Sequence, residues 1–185
     1  MAGWRACGKL RTSGRALRHA TPQDRRTANH IANAMPHTAE IEQLDAHYQS
    51  MPPVALMQLR IAGYDGRRLQ LHAPLSVHLN DKGCAFGGSL ASMMTLASWG
   101  VVSLLVERAG LHADIFVADS QIRYLAPLFA DLDVSAEPAH DADPQEFVDT
   151  LRNRGRARIG LVAQTRLPDG KIATDFTARY VAILK

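Results

Sequence analysis

The stretch Ser89 to Val106 (SLASMMTLASWGVVSLLV) constrains the fold most strongly. Leu90, Met93, Met94, Ala97, Val101, Leu104 and Leu105 recur at helical spacing, which predicts a helix. The opposite side is small rather than charged: Ser89, Ala91, Ser92, Ser98 and Ser103. A helix without a charged face has to be buried, in a protein core or in a bilayer. Its five Ser/Thr residues, and the amphipathic strand-like runs around it, predict a core helix and no membrane span. Glu107, Arg108 and Gly110 supply the stop signal.

Such a helix needs a cover, and the rest of the chain reads mostly as strands. Leu56–Ala62 and Leu69–Leu75 flank the turn Tyr64-Asp65-Gly66, with Leu69, Leu71 and Ala73 facing one way and Gln70 and His72 the other. After the helix come Ile115–Leu125, Leu132–Ala136, Arg156–Arg166 and Ile172–Leu184, the last two joined through Pro168-Asp169-Gly170. Short helices are predicted at Glu40–Tyr48 and Pro144–Asn153. The order is β-β-α-β-β-(α)-β-β. The economical solution is an α+β domain in which about six strands form one curved antiparallel sheet around the long helix.

Charge is unevenly spread. Residues 1–34 carry seven Lys/Arg against Asp24 alone, leaving 14 basic and 17 acidic residues in 35–185. The basic balance of the 185-residue chain therefore describes its tail, and residues 35–185 do not read as a nucleic-acid binder. The tail has few large apolar residues and no sustained periodicity, which predicts disorder. It is Arg-rich and acid-poor, like a transit peptide, or it is an extension ahead of a start at Met35. The domain expectation is thus 1–34 as a basic extension and 35–185 as the folded unit. Cys7 and Cys84 lie in dissimilar segments, with no disulfide framework, which fits a reducing cytoplasm. His37, His47, His72, His112 and His140 show no metal-ligand spacing, and neither metal nor cofactor is expected.

Three separated motifs carry a resemblance. Asn80-Asp81-Lys82-Gly83-Cys84-Ala85-Phe86-Gly87-Gly88 resembles the Asn-x-x-Gly-x-x-His-Gly-Gly loop that opens the central helix of hot-dog thioesterases. Ile122-Arg123-Tyr124-Leu125-Ala126-Pro127 resembles their strand ending in Tyr/Phe-Leu-x-Pro. More closely, HLNDKGCAFGGSL, ASWGVVSLL and ADSQIRYLAPL resemble the YiiD C-terminal-type thioesterase family, one branch of which decarboxylates malonyl-acyl carrier protein. The resemblance covers residues 38–185 and implies a hot-dog fold. It also implies a homodimer or homotetramer with the acyl site between subunits, and an acyl thioester of carrier protein or CoA as substrate. Two departures stand out. Phe86 occupies the usual His position, and Thr95 stands where several hot-dog thioesterases carry their catalytic Asp or Glu.

The chemistry of a thioester then selects candidates. Charge developing on the carbonyl oxygen is stabilised by unpaired N–H groups at a helix N-terminus, where the dipole is positive. Gly87 and Gly88 open the helix and let a substrate approach the backbone; alternatively they only permit a tight turn and close packing. The Asn80 side chain could donate to an oxyanion, or could simply form an Asx-turn to Lys82. Hydrolysis needs a base to activate water, whereas decarboxylation of a malonyl thioester does not. For that reaction Asn80, a glycine N–H and an apolar wall of Phe86, Met93 and Met94 would suffice, so decarboxylation of malonyl-acyl carrier protein is the expected reaction, with acyl-thioester hydrolysis and non-catalytic acyl-thioester binding as the alternatives. Asp119 is the alternative base, a carboxylate that could arrive from elsewhere in the dimer, or else a same-face ion-pair partner of Arg123. Ser89 and Ser120 could position substrate or water, or Ser89 could cap the helix. Arg123 and Tyr124 belong to the strand motif, with Arg123 and Tyr124 as candidate substrate contacts. Arg152, Arg154, Arg156 and Arg158 could meet a pantetheine phosphate or an acidic carrier protein, or form a solvated strand start. No Ser-His-Asp set is expected, since no histidine has a partner visible in the sequence.

Overall fold

The computed structural model describes residues 39–185. Expectations for the basic tail, 1–34, lie outside the described residues.

The elements in chain order are α1 (Ala39–Ser50), α2 (Pro52–Ala55), β1 (Arg60–Tyr64), β2 (Leu69–Ala73), a 3-10 turn (Leu75–Val77), α3 (Gly87–Arg108), β3 (Ala113–Tyr124), β4 (Leu132–Pro138), α4 (Pro144–Arg154), β5 (Arg156–Arg166) and β6 (Ile172–Leu184). The six strands form one antiparallel sheet in the order β1-β2-β4-β5-β6-β3. This is the α+β hot-dog arrangement, with α3 held against the sheet.

The first expected strand is shorter than its apolar run. Leu56–Ala62 is not a strand throughout. Pro52 and Pro53 occupy the first positions of a helical turn, where their fixed φ fits and no N–H is missed. The strand begins at Arg60, beyond Gln58 at φ 54°. α3 also starts earlier than its apolar pattern, at Gly87, and ends at Arg108 with Ala109 as its C-cap, after which Leu111 N–H bonds back to the Val106 carbonyl across Gly110 at φ 66°.

Period-2 alternation decides which face of each strand meets the helix. Leu69, Leu71 and Ala73 of β2, Val134 and Ala136 of β4, Ile159, Leu161 and Ala163 of β5 and Phe176, Ala178 and Tyr180 of β6 are all buried inward. Met93, Met94, Ala97, Val101, Val102 and Leu104 of α3 pack against them. α3 is long and apolar enough to span a membrane, but here it is the core helix.

Two tyrosines fix the middle of α3. Tyr48 of α1 donates its hydroxyl to the Leu96 carbonyl (2.8 Å), and Tyr180 of β6 donates to the adjacent Thr95 carbonyl (2.8 Å). Burial pushes both phenols far above their ordinary range, so they stay protonated donors. Gly100 lies directly beneath this clamp: a Cβ there would collide with the Tyr48 hydroxyl and with Leu69.

Candidate functional site

The loop before α3 folds back on itself. Gly83 at φ 75° makes the turn, Asn80 N–H bonds to the Cys84 carbonyl (2.9 Å), and Phe86 N–H bonds to the His78 carbonyl (2.7 Å). Ala85 N–H anchors the loop to the Leu128 carbonyl (2.8 Å). Asn80 organises its interior. Its Oδ1 accepts from Lys82 N–H (2.8 Å) and Cys84 N–H (3.2 Å), which is the Asx-turn. Its Nδ2 donates to two weak acceptors, Cys84 Sγ at 3.2 Å and the Ala85 carbonyl at 3.5 Å.

The helix that follows is left uncapped. Phe86 takes the N-cap position with no side-chain bond, and no acidic residue lies in the first turn. The Gly87, Gly88 and Ser89 N–H groups find no acceptor among the described residues; the first N–H to be paired is that of Leu90, to the Phe86 carbonyl (3.1 Å). The positive end of a 22-residue helix is thus open to an electronegative atom. Both glycines also serve packing. The Phe86 ring lies over Gly88 and the Tyr124 ring over Gly87, each too close for a β-carbon without displacement. The Tyr124 hydroxyl donates to the Gly87 carbonyl (2.9 Å). Phe86 and Tyr124 remain more than half exposed, so their rings form an open apolar margin around the helix start.

A pair absent from the sequence expectations sits in the same turn. His78 is 5% exposed; its Nδ1 lies 2.9 Å from Ser89 Oγ and its Nε2 lies 2.8 Å from the Met57 carbonyl. Ser89 therefore does not cap the helix, and the expectation that no histidine has a partner is corrected. Eleven residues separate the pair, and only the fold-back of the loop onto α3 brings them together. The third group is a backbone carbonyl, not a carboxylate.

The remaining sequence candidates fall elsewhere. Met93 and Met94 are fully buried in the core, because the helix turns their side chains onto the sheet, so neither forms an open wall. Thr95 presents no base: its hydroxyl is bonded to the Ala91 carbonyl one turn back (2.9 Å). Ser120 pairs with Ala178, whose side chain is buried, and so shares the helix side of β3, exposed at the sheet edge. Asp119 lies on the opposite face. Val117 pairs with Tyr180 and Asp119 with its neighbour Arg179, so an extra residue bulges between them and turns Asp119 outward. There it is ion-paired with Arg179, not with Arg123 as expected, and the Arg179 guanidinium holds its carboxyl below the usual carboxylate range. Arg123, opposite Asp175, shares that outer face, as does exposed Arg156 at the start of β5. Arg154 and Arg158 line an outer groove together with Asp141, Asp143 and Glu146, so the groove carries both signs of charge. Among the described residues no cluster of three His, Cys, Asp or Glu side chains could hold a metal ion.

The candidates thus divide in two. Phe86, Gly87, Gly88, Ser89 and Tyr124 meet at the start of α3, with His78 added and Asn80 in the loop just before it, while Met93 is core and Ser120 lies on the helix side of β3. Asp119, Arg123 and Arg156 are on the other side of the sheet.

Comparison with known proteins agrees with the fold and narrows the family. The chain is similar to a protein of unknown function from Chlorobaculum tepidum, at 28% identity and TM-score 0.73, covering 78% of this chain and 94% of that one. It is similar to a structure from Shewanella oneidensis described as a "putative thioesterase", at 29% identity and TM-score 0.70, covering 78% and 97%. A thioesterase from Haemophilus influenzae shares the fold at 15% identity and TM-score 0.63, covering 80% and 92%. Residues 41–184 match the family described as "Putative thioesterase (yiiD_Cterm)", and the chain belongs to that family of hot-dog proteins acting on acyl thioesters.

Proposed function

We propose that this protein decarboxylates a malonyl thioester, presented on acyl carrier protein or CoA, to the acetyl thioester used in fatty-acid synthesis. The observation that carries this reading is the open start of α3, with three N–H groups free, Asn80 in the loop that leads into it and no carboxylate at position 95. Loss of CO₂ from the malonyl group passes its electron pair to the thioester carbonyl and generates an enolate. What the protein must provide is donors for that oxygen and a poorly hydrated place for the departing carboxylate. The helix amides are such donors. Asn80 Nδ2 can join them by giving up a sulfur and a long carbonyl contact for a charged oxygen. The Phe86 and Tyr124 rings supply apolar surroundings. Asp119, turned outward and bound to Arg179, is badly placed to activate water at this point.

Hydrolysis of an acyl thioester is the second reading, favoured by Ser89 and His78, a hydroxyl with a ring nitrogen beside it. We further propose that two copies associate along β3. This 12-residue edge strand exposes Phe116 and Val117, and next to it on β6 lies half-exposed Ile183. The test of function is direct. The pure protein is incubated with malonyl and with medium-chain acyl thioesters, and CO₂ and free thiol are read separately. CO₂ without thiol from the malonyl substrate supports decarboxylation; thiol release from medium-chain substrates, with no CO₂, overturns it.

A further inference from the structure

The enolate left by decarboxylation has to be protonated on carbon, and we propose that Ser89 delivers that proton, drawing on His78 behind it. This inference rests on the decarboxylase reading and assigns the second half of its reaction.

The hydrogen bonds around His78 have an unusual property. The Met57 carbonyl on Nε2 can only accept, whereas the Ser89 hydroxyl on Nδ1 can accept or donate. The neutral ring is satisfied with Nε2–H donating to Met57 and Ser89 donating to Nδ1. The doubly protonated ring keeps the same two contacts, with both N–H groups donating and Ser89 reversed. The ring can therefore hold or release one proton without breaking either contact or moving in its packed, 5%-exposed position. When it is protonated, the Ser89 O–H is free to point away from the ring. Ser89 is the third residue of α3, in the same turn as the free Gly87 and Gly88 N–H groups. The relay requires that a thioester whose oxygen sits on those amides place its α-carbon within reach of the Ser89 hydroxyl.

The step balances. The enolate oxygen's electron pair re-forms the C=O bond, and the C=C pair takes the Ser89 hydroxyl proton to make the methyl group. Ser89 Oγ takes the Nδ1 proton of His78, and His78 returns to its neutral form with Nε2–H still on Met57. The half-buried Ser89 hydroxyl then passes its proton to Nδ1 and takes one from solvent, which restores the starting state. Ser89 is the catalytic residue of this step, and His78 is a positioning residue that acts through it.

Run backwards, the relay exchanges the methyl hydrogens of the acetyl thioester with solvent, which gives a test independent of CO₂. Acetyl pantetheine thioester is incubated with the full chain in D₂O, deuterium in the acetyl group is read by mass spectrometry, and CO₂ release from malonyl pantetheine thioester is measured alongside. The parent protein is expected to incorporate deuterium. Ser89→Ala and His78→Asn are expected to lower incorporation by about 10²-fold, the lower end of general acid–base contributions, with KM for the malonyl thioester little changed. Ser89→Thr, which keeps a hydroxyl, is expected to retain much of it. Folding of each variant is confirmed by circular dichroism. Parental exchange by Ser89→Ala overturns the relay while leaving decarboxylation standing. Ser89→Thr falling as far as Ser89→Ala also overturns it, since a hydroxyl would then not be what matters. A parent protein that exchanges the acetyl hydrogens but releases no CO₂ overturns the decarboxylase reading and leaves the relay in place.

Discussion

The two halves of α3 treat their backbone polar groups in opposite ways. In the middle, the Thr95 and Leu96 carbonyls each accept an additional hydroxyl bond, from Tyr180 and Tyr48. At the start, three successive N–H groups have no acceptor among the described residues, no side chain caps them, and no acid offsets the dipole. The first N–H groups of any helix lack intrahelical partners, and here neither a cap nor an acid takes them, so these half-buried to exposed donors remain available to a ligand. The middle of the helix is tied into the fold, and its start is the part we propose receives the ligand. Changes at the start should therefore remove turnover and spare stability, and changes in the middle should do the reverse.

The largest effect is expected at Asn80. Asn80→Asp keeps the oxygen that accepts from Lys82 and Cys84, so the loop should survive, but it replaces the donor with negative charge beside the enolate. CO₂ release should fall ~10²–10³-fold, and Asn80→Ala should lose a similar amount, with substrate binding little changed. Steady-state kinetics with a melting curve for each variant checks both parts. Next comes Gly100→Leu. The added side chain has to enter space held by Tyr48, Leu69 and Leu44, and overpacking of this kind costs ~1–3 kcal/mol. Urea unfolding reads it, and unchanged stability would mean α3 is not covered there. Tyr48→Phe removes one hydroxyl bond from the Leu96 carbonyl and should cost about 1 kcal/mol in the same measurement, with turnover per folded molecule unaltered. The smallest effect is expected at Asp119. Asp119→Asn breaks an exposed ion pair on the outer face and should leave both turnover and melting temperature near parental. A severe loss there, with thiol as the product, would move the chemistry to the other side of the sheet.

The same contrast separates what the sequence discloses from what it hides. The core was legible because burial leaves a period: the apolar stripe of Ser89–Val106 and the alternation of Leu69, Leu71 and Ala73 each follow from one element meeting one partner. The start of α3 was legible from Gly87 and Gly88, since rings and ligands approach closest where there is no β-carbon. The outward direction of Asp119 is not legible in the sequence, because a single extra residue between Val117 and Asp119 reverses the face, and a bulge leaves no mark in composition. Its partner Arg179 is set by the β3–β6 register, far away in the chain. His78 and Ser89 were hidden for a similar reason: their contact depends on a loop closed by the bond from Phe86 to His78. Met93 looked like a wall and is core, because helical periodicity alone does not say which residues of a stripe stay accessible.

The central claim is that the free amides at the start of α3 receive the carbonyl oxygen of the thioester. Amide hydrogen exchange, resolved residue by residue by NMR, measures this without turnover, using a malonyl analogue in which the sulfur–carbonyl unit is replaced by a non-reacting amide. On titration, exchange at Gly87, Gly88 and Ser89 should slow, while the amides around Asp119, Arg123 and Arg156 stay as they were. Protection appearing at the outer-face residues, with Gly87 to Ser89 unchanged at saturating analogue, would contradict the account.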